Sequence, residues 1–228
     1  LNNGNDTTLV AGLEQLRQEV FDTLDYDTVV VLDSHWATTV EFVVTAQERR
    51  QGLFTSEELP RGMTQRPYEF LGDPDLAHLI ASKADDHQTW ITAISDDHLP
   101  IFYATTNLWE FLGRGLPDKR WISIGVCQTA DTEHNLRLGR ALGDGIADSD
   151  RKVLLLASGA LSHTFWPLRQ LRKHEAADID HIFTSEAADA DAQRMQWFEA
   201  GDHARVLDTM PEFYRFRPEA RFGHYLMM

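Results

Sequence analysis

The sequence is poor in the features that would assign it to several large classes. It has a single cysteine, Cys127, so no disulfide can form within the chain, which fits a reducing cytoplasm. No apolar run approaches the roughly 18 residues needed to cross a bilayer, so no membrane partner is expected. Basic residues are few: 21 Lys and Arg stand against 36 Asp and Glu, a net charge of −15. Nucleic-acid phosphates would be repelled by that balance, and nucleic acid is excluded as an expected partner. A nucleophile elbow is missing as well. Gly159-Ala160-Leu161-Ser162-His163 has neither the central serine nor the second glycine of Gly-x-Ser-x-Gly, which argues against a serine hydrolase. There is no internal repeat and no low-complexity linker.

What remains is ordinary globular material with strong local signals. The chain has 228 residues, 43% of them hydrophobic, enough for one large α/β domain with a substantial core. Thr28-Val29-Val30-Val31-Leu32 reads as a strand buried on both faces, and it runs directly into Asp33-Ser34-His35-Trp36. The pattern recurs where Lys152–Ala157 leads into Ser158-Gly159-Ala160-Leu161-Ser162-His163. Further strands are expected at Thr39–Val44, Thr89–Ile94 and Trp121–Cys127. Helices are expected after Thr7 or Thr8, from Asp73-Pro74-Asp75 to Ala84, from a Thr105 or Thr106 cap to Leu112, over Glu133–Ile146, and from Glu186 onward. Residues 47–74, polar and dotted with Gly and Pro, read as one long functional loop. Strand and helix alternate, so the expected fold class is α/β. The expectation is a single catalytic domain over residues 1–228, with a central, mostly buried β-sheet flanked by helices on both faces. The chain starts at Leu1 and stops within apolar Tyr225–Met228, so both ends are expected to be trimmed.

Ligands in such sheets bind beyond the carboxyl ends of the strands, where His35 and His163 fall. Of the ten histidines these two stand apart. His98, after Asp96-Asp97 and before Pro100, reads equally as a pocket rim or as surface. Glu219, in Arg217-Pro218-Glu219-Ala220-Arg221, is either a first-turn helix acid or a hard oxygen donor for a metal bound by imidazoles. Asp33 is either a turn hydrogen-bond acceptor or a group that orients a ligand imidazole.

Asp33-Ser34-His35-Trp36, Thr55-Ser56-Glu57-Glu58-Leu59-Pro60, Leu156–His163 and Pro218–Met228 together resemble the class III extradiol ring-cleavage dioxygenases. This is the superfamily of the protocatechuate 4,5-dioxygenase β subunit, and the likeness is nearest to homoprotocatechuate 2,3-dioxygenase-type members. It runs in the same order from about Asp27 to the last residue. The resemblance implies non-haem Fe(II) as cofactor, with His35 and Glu219 as metal ligands. It implies His163 as the catalytic acid/base rather than a ligand, a role suited to an imidazole that titrates near neutrality. Tyr103, the other candidate catalytic residue, stands where other members carry a histidine of an Asp-His-Gly-Thr motif, and a tyrosine stands there in homoprotocatechuate-type relatives. The family's first ligand, in a His-Xaa-Pro segment, has no counterpart and is expected upstream of Leu1. Pro60, Arg61 and His98 are candidate substrate contacts. Arg61 reads either as the partner of a substrate carboxylate or as a solvated arginine.

The expected activity is Fe(II)-dependent opening of a catechol-type ring, homoprotocatechuate- or protocatechuate-like, by insertion of both atoms of O2. The expected assembly is a cytoplasmic homo-oligomer, as relatives commonly are. Cleavage of an aminophenol or a polycyclic diol, a zinc-dependent hydrolase using His35, His163 and Glu219, and a non-catalytic superfamily member stay open as alternatives.

Overall fold

The computed structural model describes residues 8–58, 62–163, 166–171 and 184–228. Contacts divide the chain into two compact units, Leu1–Ser158 with His224–Met228, and Gly159–Gly223.

The first unit is built on a seven-stranded sheet: β1 Thr28–Thr38, β2 Phe42–Thr45, β3 Arg49–Phe54, β4 Arg66–Leu71, β5 Ile91–Ile94, β6 Arg120–Cys127 and β7 Val153–Ser158. The main path runs β3-β4-β6-β1-β7, with β2 joined to β5 and β6. Central β1 pairs in parallel with β6 on one side and β7 on the other. Its run of β-branched residues explains that position, because Val29, Val30, Val31 and Leu32 are each 0% exposed. Side chains alternate across a strand, so both faces of the sheet must be covered there.

On one face, Val29 and Val31 pack into a cluster with Phe21, Tyr26, Leu112 and Trp121, capped by Leu13 and Leu16 of α1 (Thr8–Leu16). Helices α2 (Pro74–Ser82) and α4 (Thr132–Ala147) pack against each other, and α2 also meets β2 and β5. A side chain on Gly145 would place its Cβ 2.9 Å from the Ile80 backbone, so this glycine sets how closely the two helices approach. Each large apolar side chain buried in these layers contributes about 1.5–3 kcal/mol. Asp73 caps α2 by accepting from Leu76 N, accepts from Thr28 Oγ1 at 2.9 Å and pairs with Arg151 at 2.7 Å. One buried carboxylate thereby ties the start of β1 to α2 and to the approach to β7.

The α/β expectation holds, with three local differences. β1 does not stop at Leu32 but continues to Thr38, so the next strand starts at Phe42 rather than Thr39. Residues 47–74 are not one loop: Arg49–Phe54 and Arg66–Leu71 pair as an antiparallel hairpin. The pairing is carried by backbone hydrogen bonds under largely exposed polar side chains, a pattern without an apolar run to announce it. The helix expected from Thr105 or Thr106 begins earlier, as α3 (Tyr103–Leu108), with Phe102 in the N-cap position.

The second unit contains α5 (Leu168–Leu171), α6 (Ser185–Ala200) and α7 (His203–Asp208), followed by short turns. Its interior is aromatic, with Phe213 packed edge-on against Phe222 at 5.4 Å and the Arg194 guanidinium 3.5 Å from the Phe213 ring centre. Arg194 is 3% exposed and donates to the carbonyls of Ala190 and Thr209, so the buried cation is spread over acceptors and a π face.

Candidate active site

His35 owes its placement to an irregularity in β1. The β1–β6 register shifts between Asp33 and Ala37, so Ser34, His35 and Trp36 leave the ladder as a bulge. Bulges re-aim side chains and strand backbone N–H groups that need other acceptors. Asp33 supplies them: one carboxylate oxygen accepts from His35 N at 2.9 Å and from Trp36 N at 3.1 Å. The other oxygen accepts from Thr105 Oγ1 at 2.7 Å and Thr105 N at 3.2 Å. Asp33 therefore acts as a turn acceptor. Burial holds its carboxyl above the ordinary carboxylate range, against the opposing pull of the Thr105 and His35 hydrogen bonds. Gly125, paired with Asp33, is required by the same bulge, since a Cβ there would lie 2.7 Å from the Trp36 carbonyl oxygen.

The Asp33–Thr105 link also positions α3. Thr105 Oγ1 shares a hydrogen bond with Ser123 Oγ at 2.9 Å, and Ser123 N donates to Thr45 Oγ1 at 2.9 Å. This buried polar chain connects β1, α3, β6 and β2. With α3 so fixed, Tyr103 at its first turn meets the His35 ring, their ring centres 4.1 Å apart. The phenol oxygen hydrogen-bonds to His35 Nε2, and Ser34 Oγ lies 3.3 Å from Nδ1. Both ring nitrogens are thus engaged, and the Nε2 edge faces Tyr103.

The pair opens on a cavity of about 570 Å³, whose lining includes His35, Tyr103, His98, Tyr68, Glu57 and Glu58. Its wall at Leu99–Pro100 is braced from behind, where the 6%-exposed Arg50 donates to the Leu99 and Pro100 carbonyls at 2.7 and 3.0 Å. His98 lies in a turn made by its own N–H donating to Asp96 at 2.7 Å. It is one of the cavity's lining residues and is also exposed to solvent. Pro60 and Arg61 lie outside the described residues.

In the second unit, Gly159–His163 runs antiparallel to Arg217–Glu219 through an isolated bridge, Ser162 to Pro218. His163 N donates to Arg217 O and Glu219 N to Leu161 O, each at 3.1 Å. The Glu219 carboxylate accepts from Ala160 N. His163 and Glu219 are thereby carried on two strands of one lace. Asp191 of α6 clamps that lace at Ser162, accepting from its N–H at 3.0 Å and its hydroxyl at 2.6 Å. Glu219 does not head a regular helix. Arg217, Ala220, Arg221 and Phe222 all have left-handed backbones, with φ of 51°, 47°, 53° and 64°. Each costs on the order of 1–2 kcal/mol for a residue with a Cβ, and such strain gathers at functional positions.

Among the described residues, no group of three or more His, Cys, Asp or Glu side chains is disposed to hold a metal ion. The imidazole of His35 and the carboxylate of Glu219 are each donors of a kind that Fe(II) takes.

A model of the catalytic LigB subunit of aromatic ring-opening dioxygenase matches residues 2–228, and the chain belongs to that family. The resemblance carried by the Asp33–Trp36 and Leu156–His163 segments is thereby borne out. Escherichia coli 3,4-dihydroxyphenylacetate 2,3-dioxygenase is 29% identical over 142 residues, covering 61% of this chain and 50% of the relative. The match thus spans half the length of that relative. The crystal structure of an uncharacterized Escherichia coli K12 protein matches with a TM-score of 0.53 and 17% identity, over 76% of this chain and 59% of that one. That likeness concerns the fold.

Sequence reasoning picked out His35, Tyr103 and His98, and the structure gathers these three around one cavity. It missed Thr105 as the partner of Asp33, Arg50 behind the cavity wall and Asp191 on the Ser162 loop. In sequence Thr105 reads only as a helix cap. Arg50 and Asp191 carry no signal, since each acts across a long sequence separation.

Proposed function

We propose that the chain is an Fe(II)-dependent extradiol dioxygenase that opens a catechol-type ring beside the diol and inserts both atoms of O2. Membership of a ring-opening dioxygenase family over residues 2–228 supports the reaction class. The observation that carries the reading to this chain is the His35–Tyr103 pair at the carboxyl-end bulge of β1, on a cavity large enough for a single aromatic ring. A bound Fe(II) would supply open coordination positions for two diol oxygens and for O2.

In this reading His35 and Glu219 are the ligand positions that the chain supplies. Tyr103 stands against the Nε2 edge of His35; with that nitrogen turned to a metal, its phenol hydroxyl would be released to a substrate oxygen. His163 holds and returns a phenolic proton at its imidazole, on a loop kept in place by Asp191. His98 lines the cavity that would take the ring substituent; Pro60 and Arg61 are candidate contacts by the resemblance alone.

The test is anaerobic loading of the purified protein with Fe(II), addition of a catechol and admission of air. Oxygen uptake equal to catechol consumed, with a yellow ring-fission product, is the expected outcome. Catechol turnover without O2 uptake, or equal turnover with zinc in place of iron, would overturn the reading.

A further inference from the structure

The described lining of the cavity beside His35 includes three carboxylates. Glu57 and Glu58 enter from the bend after β3, and Asp97 enters from the turn before α3. No arginine or lysine is among its described lining residues. Arg50 lies behind the wall with its guanidinium committed to two carbonyls, and Arg49 is paired with Glu69. The same wall presents the aromatic rings of Phe54, Tyr68 and Phe102, and aromatic faces attract cations. Carboxylates at the mouth of a cavity with low-dielectric walls concentrate cations and repel anions.

Building on the ring-opening reading, we propose that this cavity selects catechols whose ring substituent is cationic, accepts neutral ones less well, and discriminates against carboxylates. Glu57, Glu58 and Asp97 are the specificity-determining residues, and Tyr68 provides a π face for an ammonium group. All three carboxylates are exposed, so water weakens each interaction. Their sum, acting with opposite sign on a cation and an anion, is expected to separate the two by about 10- to 100-fold at low salt.

The experiment compares three catechols of similar size: dopamine, 4-ethylcatechol and 3,4-dihydroxyphenylacetate. For the Fe(II)-loaded protein, kcat/KM is measured at low salt and at about 0.5 M salt, where the Debye length shrinks to a few Å. Binding of each to the metal-free protein is measured by anaerobic calorimetry. The expected order is dopamine, then 4-ethylcatechol, then 3,4-dihydroxyphenylacetate in both assays. The dopamine to dihydroxyphenylacetate ratio is expected to fall severalfold in high salt, and to collapse in a Glu57→Gln, Glu58→Gln, Asp97→Asn variant. The salt comparison needs no variant, so it decides the matter even where the triple substitution fails to fold. Preference for 3,4-dihydroxyphenylacetate, which would favour Arg61 as a carboxylate partner, overturns the proposal, as does a ratio indifferent to salt. Should none of the three be opened while dopamine still binds best, the charge selectivity stands and the ring-opening reading falls.

Discussion

Replacing Asp33 with alanine asks whether one buried carboxylate holds the bulge that presents His35. Asp33 is 1% exposed and accepts four hydrogen bonds, from His35 N, Trp36 N, Thr105 N and Thr105 Oγ1. Alanine removes the acceptor for three backbone N–H groups, and a buried unsatisfied donor costs about 1–3 kcal/mol. His35 is half-buried, so water can reach its N–H, and the Thr105 hydroxyl keeps Ser123 as a partner. The cost therefore falls mainly on Trp36 and Thr105, and relief of the carboxylate's own desolvation offsets part of it. A net loss of about 2–4 kcal/mol is expected, which for a chain of this size lowers Tm by roughly 5–15 °C.

Asp33→Asn keeps one acceptor oxygen and should lose about half as much. Its pH dependence has a defined sign. Burial raises the Asp33 pKa above its ordinary 3.8, so the fold favours the protonated group. That contribution is complete below the unfolded-state value and is lost as pH rises through the raised folded-state value. The stability gap between wild type and Asp33→Asn should therefore be widest in acid and narrow toward neutrality. Urea unfolding followed by tryptophan fluorescence, repeated across pH, measures both quantities. A loss under about 1 kcal/mol for the alanine variant, or a gap that widens with pH, would refute the reasoning.

Four other substitutions probe separate parts of the account. His163→Ala should leave iron content unchanged while slowing turnover by about 10²- to 10⁴-fold, whereas Glu219→Ala should lose iron by elemental analysis; the opposite pattern would reverse the two roles. Gly125→Ala should drive its new methyl against the Trp36 carbonyl, destabilise the fold by about 1–3 kcal/mol and weaken catechol binding, read by thermal denaturation and calorimetry. Asp191→Ala should free the Ser162 loop and lower kcat more than it raises KM, with iron content intact; an unchanged kcat would detach Asp191 from the site.

The layout of the sheet was legible wherever apolar runs marked buried strands. Val29–Leu32 and Trp121–Cys127 announce β1 and β6, because parallel strands covered on both faces must be apolar throughout; Val153–Ala157 is as apolar, although β7 is only half-buried along its length. The hairpin of β3 and β4 was not legible, because Arg49, Gln51, Glu69 and Arg66 lie on its exposed surface and its ladder is made by backbone atoms. His35 could be found because a strand ends its apolar run just before it. How it is held could not, because the bulge depends on Gly125 and Thr105, some 70 to 90 residues away. Glu219 shows the same limit. Its sequence context suits a helix start, and only the backbone reveals a left-handed turn laced to Leu161.

The central claim is that this chain places both atoms of one O2 into an aromatic ring. Turnover of a catechol by the Fe(II)-loaded protein under ¹⁸O₂, followed by mass spectrometry of the ring-fission product, tests it most directly. The account predicts a product carrying two labelled oxygens; a product with one label or none would contradict it.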